Sequence, residues 1–323
     1  MDVLRFSFNA VSPLFFVIFL GWFIRRRGLV HENEISFLNT LCFKYLLPVY
    51  IFSSVQNVDL SHEFNMRMFV VFFADITIIL LLSMVIFRIA IKDEEKRCIY
   101  IVNSYRSNNL IYALPLAVNL FGEAGLKSAA MLVPFTIISF NLYSVIVMVH
   151  YAGKRDKTKN KDAAAKGELK KTLMEIIKNP LIIGSFTGVL IGLSGLKLPV
   201  FFTKGLNSIG IMASPLSLLM LGTQIDLSSL KTDVKHSVFS CLVRLVICPL
   251  LTTPAFIMLG FRGPDLSTLA IASAAPCAIA TFIMSRNYRI APQFAAQTVY
   301  LSTALSMITI FILISVLRAL NFM

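Results

Sequence analysis

Apolar runs of about 20 residues, the length a helix needs to cross a bilayer, follow one another along this chain with little between them. Ten such spans are read near 10–26, 36–56, 67–91, 97–120, 126–151, 172–193, 203–223, 236–260, 266–285 and 291–318. The fourth contains Pro115 and the ninth contains Pro276. Proline removes a backbone donor and crowds the preceding turn. In hydrocarbon that defect is tolerated only where protein or a water-filled cavity meets the freed groups. One broken span in each half of a membrane protein points to a transport site between the halves.

Composition agrees with a polytopic, all-α membrane protein. The chain is 57% hydrophobic and 15% charged, with 27 Phe and 13 Met, and its mean hydropathy is +0.77. A soluble domain is nearer half apolar and a quarter charged. The net charge of +13 does not signal nucleic acid, because the basic residues gather in short loops between spans and no nucleic-acid-binding motif accompanies them. Cys42, Cys98, Cys241, Cys248 and Cys277 lie in or beside apolar spans and read as small hydrophobes. Neither they nor the scattered His31, His62, His150 and His236 show metal-ligand spacing, so neither a metal nor another cofactor is expected. Arg25–Arg27 follow the first apolar run instead of preceding it, so that run is read as a retained span and not as a cleavable signal.

Loops after odd-numbered spans, with the adjoining span ends, hold 20 Lys and Arg, and the opposite side holds 7. By the positive-inside rule both termini are expected outside the cell and residues 152–171 in the cytoplasm. That basic segment divides the chain into residues 1–151 and 172–323, each with five spans. Asn179-Pro180-Leu181 matches Ser12-Pro13-Leu14 at an offset of 167, as do Gly188 with Gly21, Gly195 with Gly28 and Pro215 with Pro48. Pro276 matches Pro115 at 161. An odd number of spans per half makes the repeats inverted, with broken, crossing spans 4 and 9 near the midplane. Half-helix N-termini there carry free N–H groups and partial positive charge, which suits a carboxylate.

The order of motifs resembles the auxin efflux carrier family, within the wider group that includes the bile acid–sodium symporters. The residues that carry the likeness are Gly21-Trp-Phe-Ile-Arg-Arg-Arg-Gly-Leu29, Leu46-Leu-Pro48, Arg106-Ser-Asn-Asn-Leu-Ile-Tyr-Ala-Leu-Pro-Leu116, Asn179-Pro-Leu181, Pro215-Leu-Ser-Leu-Leu-Met-Leu-Gly222, Arg244 with Pro249, Ala275-Pro276 and Gln297-Thr-Val-Tyr-Leu-Ser-Thr303. The resemblance implies ten helices in two inverted five-helix repeats. It also implies carriage of organic anions, auxin in plants and dicarboxylates such as malate or malonate in bacterial members. The short central loop is similar to the bacterial type. Tyr112-Ala-Leu114 stands where the family often has a Gly-rich stretch, a departure that bears on substrate size and identity.

Several residues have a functional and a plainer reading. Asn108 and Asn109 either donate to a substrate carboxylate or cement the contact between spans 4 and 9. Arg106 either pairs with substrate or snorkels to the interface. Asp75 is the one acid deep in a span, roughly 12 Å from the edge at 1.5 Å per residue. It is a coupling candidate for a proton or sodium ion, or else a static partner of Lys44 or Arg244. Pro115 and Pro276 are read with the substrate site.

The expected function is therefore secondary transport of a small organic anion in the cell membrane, by alternating access, with no enzymatic activity. A catalytic set is not found in the spans, nor a Walker A motif for ATP hydrolysis. The alternatives are a ligand-sensing receptor on the same fold and a sodium-coupled bile-acid-type symporter. Lipid, substrate and a coupled ion are the partners expected, and the sequence is also compatible with a homodimer.

Overall fold

The computed structural model describes residues 2–56, 66–155, 167, 170–171, 173–194, 196, 198–225 and 233–323. Among them every regular element is helical. In chain order these are α1 (Asp2–Arg26), α2 (Glu32–Gln56) and α3 (Met66–Ala90), α4 (Glu94–Tyr105), α5 (Asn109–Phe121), α6 (Glu123–Arg155) and α7 (Pro180–Ser194). There follow α8 (Val200–Thr223), α9 (Val234–Met258), α10 (Gly263–Ala274), α11 (Ile279–Tyr288) and α12 (Pro292–Ala319).

Seven of these, α1, α2, α3, α6, α8, α9 and α12, are long and apolar enough to cross a bilayer unbroken. The sequence led us to expect ten. The three that differ are the sixth, where the apolar helix α7 is short, and the fourth and ninth, each divided into two short helices.

The exteriors of the long helices are as apolar as their contacts. Phe16, Ile89, Phe201 and Met258 are each more than two-thirds exposed, an arrangement that suits lipid and not water. Close packing rests on small residues. A Cβ on Gly21 of α1 would sit 2.1 Å from the Leu219 carbonyl oxygen of α8, and one on Gly222 of α8 would sit 2.0 Å from that of Ile18. Here the backbones touch, as small residues permit in membranes. Helix α7 meets α2 similarly, through Gly184 against Pro48.

Two helices contain a wide π turn, Cys42–Leu46 in α2 and Val243–Ile247 in α9. Each inserts an extra residue per turn and so rotates the faces on either side of it. Lys44 lies in the first and is exposed. It is therefore not the partner of Asp75 that the sequence allowed. Arg244 lies in the second and is 3% exposed.

Candidate functional site

The fourth span is interrupted at Arg106–Asn108, between α4 and α5, and not at Pro115. Pro115 sits inside α5, where its missing N–H leaves one carbonyl a turn earlier without a helical partner. A single lost bond does not end a helix whose other groups remain paired. The helix ends instead at Arg106-Ser-Asn, where the backbone N–H of Asn108 and carbonyl of Arg106 find partners in the other interruption. In the ninth span the interruption does fall at its proline. Ala275 is extended, with φ −61° and ψ 146°, the conformation a residue before proline prefers.

The two interruptions lie against each other. Ser107 faces Cys277 in one antiparallel bridge. The Asn108 N–H donates to the Pro276 carbonyl at 2.8 Å, and the Ala278 N–H donates to that of Arg106 at 3.3 Å. The Cys277 N–H is met by Ser302 Oγ of α12 at 3.1 Å. Two helices thus end, and two begin, around one short piece of paired backbone.

Asn108 and Asn109 are each 8% exposed. Asn109 Nδ2 donates to Thr136 Oγ1 of α6 at 3.4 Å, a long bond. Among the described residues Asn109 Oδ1 and Asn108 Nδ2 have no partner, and neither do Ser107 Oγ, both polar atoms of the Asn103 side chain, Thr268 Oγ1 and Thr281 Oγ1. A buried polar group left unpaired costs about 1–3 kcal/mol. A cluster of them on both sides of one junction is satisfied by ordered water or by a polar ligand. Asn103, Thr136, Thr268 and Thr281 were not singled out from the sequence. A hydroxyl or an amide inside an apolar run was their one visible signal, and the chain has many such groups.

Arg106 is 5% exposed and neither snorkels nor faces the Asn pair. Its guanidinium reaches α6, donating from Nη1 to the Phe140 carbonyl and Ser144 Oγ, each at 2.8 Å, and from Nη2 to Asn141 Oδ1 at 2.9 Å. Asp75, on α3, lines a cavity of about 10 Å³ together with Ser107, Arg244, Thr252 and Ser273. That volume holds about one water. Among the described residues Asp75 forms no ion pair.

Two larger cavities approach the interruptions. One of about 900 Å³ is bordered by Trp22, Arg25, Arg26, Glu32 and Gln224 and reaches Ile279, the first residue of α11. Another, of about 500 Å³, is bordered by Glu123, Lys127, Arg262 and Asp265, with Leu132 among its walls. Leu132 also walls a small pocket containing Asn109, Thr136 and Thr268.

Comparison with known proteins gives the family. Residues 6–314 match a family described as membrane transport protein. An uncharacterized transporter of Methanocaldococcus jannaschii is 24% identical over 94% of this chain and 96% of its own length. One of Methanothermobacter thermautotrophicus is 22% identical, again over 94% and 96%. A protein of Rhizobium meliloti provisionally named a malonate transporter is 23% identical over 96% of this chain and 95% of its own.

Proposed function

Because the chain belongs to the membrane transport protein family, that of the auxin efflux carriers, we propose that it is a secondary transporter of a small organic anion. A dicarboxylate of the size of malonate or malate fits best, and an auxin-like acid is the second candidate. The observation that carries the proposal is the junction of the two interruptions, with the unpaired Asn108 Nδ2 donor buried beside it and Asn109 Nδ2 held only by a long bond. Amide N–H groups and the first N–H groups of α5 and α11 are donors without basic residues, suited to holding a carboxylate loosely enough to release it. The name of the Rhizobium meliloti relative supports the dicarboxylate.

In this reading ten spans form two inverted five-helix repeats, residues 1–151 and 172–323, and spans 4 and 9 cross at the junction. The divided helices and the repeated Gly and Pro support it. The basic bias of 20 to 7 supports extracytoplasmic termini and a cytoplasmic segment 152–171, in the cell membrane. The cavity at Arg25 and Arg26 would then open inward and the one at Glu123 and Arg262 outward. Substrate would reach the junction from each in turn as one bundle rocks against the other. Asp75 is the candidate for coupling to a proton.

Uptake of labelled malonate, malate and indole-3-acetate into proteoliposomes, with and without imposed pH or sodium gradients, tests the proposal. Saturable uptake of one of these acids is expected. No uptake or exchange of any organic anion would defeat it.

A further inference from the structure

Arg244 is buried and, among the described residues, has no carboxylate partner within ion-pair distance. A buried guanidinium in that position is costly unless something else compensates its charge. The Asp75 carboxylate lies in the same small cavity and offsets part of it, but every hydrogen bond that Arg244 donates goes to backbone. Nε donates to the Ala275 carbonyl at 2.9 Å, Nη1 to that of Ser104 at 2.8 Å and Nη2 to that of Ala272 at 3.0 Å. Ser104 lies in the last turn of α4 and Ala272 in the last turn of α10, and Ala275 caps α10. The final carbonyls of a helix lack intrahelical partners. They carry the equivalent of roughly half a negative charge per helix. Two such ends together offset about one positive charge, which is what Arg244 brings. The Cys248 thiol adds a weak donor to the Ser104 carbonyl at 3.5 Å.

We infer that Arg244 is a positioning residue, a shared cap that holds the C-terminal ends of α4 and α10 together and so sets the register of both interruptions. Three donors in a rigid plane reach acceptors on two helices, which an ammonium on a flexible stem does not reproduce. Its place in the π turn Val243–Ile247 fits this role, since such turns redirect a side chain. Through that register Arg244 sets where the helix starts at Asn109 and Ile279 stand relative to each other. The consequence for transport rests on the function proposed above, whereas the clamp itself does not.

The test needs no substrate. Ser107 and Cys277 face each other with their flanking residues bonded across the bridge. Facing residues of that kind have Cα atoms about 4.5 Å apart, within disulfide range. In the full chain, Ser107→Cys is combined with a protease site inserted between residues 160 and 161. Copper-phenanthroline oxidation followed by cleavage then reports whether the halves stay joined on a non-reducing gel. The Ser107→Cys protein is expected to cross-link rapidly. Adding Arg244→Gln should slow cross-linking about tenfold and Arg244→Lys about threefold, with monodisperse protein and melting within a few degrees of the parent. Parental rates in both Arg244 variants would overturn the clamp. Should Arg244→Gln not fold, Arg244→Lys decides alone, a slowed rate supporting the clamp and a parental rate overturning it. If Ser107→Cys itself gives no cross-link, the interruptions do not face each other, and both the clamp and the crossing behind the transport reading fall.

Discussion

The backbone N–H of Asn108 donates to the carbonyl of Pro276 across 2.8 Å. That one bond joins the start of α5 to the interruption in the other half of the chain, and it leaves the Asn108 side chain unencumbered. Asn108 Nδ2 has no partner among the described residues. Replacing Asn108 with Ala should therefore cost a hydrogen bond to a charged acceptor, about 1.5–3 kcal/mol, or roughly a tenfold to hundredfold loss of affinity. Binding of the transported acid to purified protein, measured by calorimetry, checks this. Asn109→Ala should lose less, because its Nδ2 is partly engaged with Thr136. If both variants bind like the parent, the amides serve helix packing.

The two prolines should behave oppositely. Pro115 lies inside α5, so Pro115→Ala restores an N–H to the helix and is expected to leave transport intact and stability equal or higher. Pro276 holds Ala275 extended at the junction. Pro276→Ala removes that restraint and should lower the transport rate severalfold at similar expression. Thermal melting and proteoliposome exchange on both variants decide the matter. Loss of transport in Pro115→Ala alone would reverse the assignment.

That contrast shows what could be read from the residues. A run of 20 apolar residues declares itself, and Pro276 marked its interruption because proline acts on the residue before it. Pro115 misled because whether a helix ends depends on where the next backbone groups find partners. For Arg106 and Asn108 those partners are in the other half of the chain. The acceptors of Arg244 are main-chain carbonyls, which every residue type possesses, so no sequence pattern records them. Lys44 was a possible partner of Asp75 because it lies inside a span, but it sits in the π turn at Cys42–Leu46 and is exposed.

The proposed topology makes a separate prediction. Single cysteines introduced at Thr158, outside the described residues, and at Leu196 should react with an impermeant maleimide from opposite sides of the membrane in a background lacking the native cysteines. Thr158→Cys should label only in inverted vesicles. Labelling of both from one side would refute the assignment drawn from the basic bias.

Packing of α1 on α8 should tolerate little enlargement. A methyl group on Gly222 would lie 2.0 Å from the Ile18 carbonyl oxygen, and neighbouring backbone also lies close. Nothing at that position is a flexible side-chain end that could yield. Gly222→Ala should force the helices apart and destabilise the fold by about 1–3 kcal/mol, in line with overpacking elsewhere. Gly205→Ala, with nothing within 4 Å of its added Cβ, is the control and should melt like the parent.

Asp75 gives the sharpest test of coupling. It shares its small cavity with Ser107 of the first interruption and with Arg244, so its charge is felt where the half-helices meet. If a proton on this carboxylate accompanies each substrate, Asp75→Asn fixes the neutral form without changing its shape. Accumulation driven by a pH gradient should then disappear, because no proton can be carried and released. Exchange of labelled for unlabelled acid should persist within a few fold, since it needs binding and rocking but no net proton movement. The measurement is a paired one, gradient-driven uptake and exchange on the same proteoliposomes. Loss of both would make Asp75 part of the binding or folding apparatus, and full retention of gradient-driven uptake would remove it from coupling altogether.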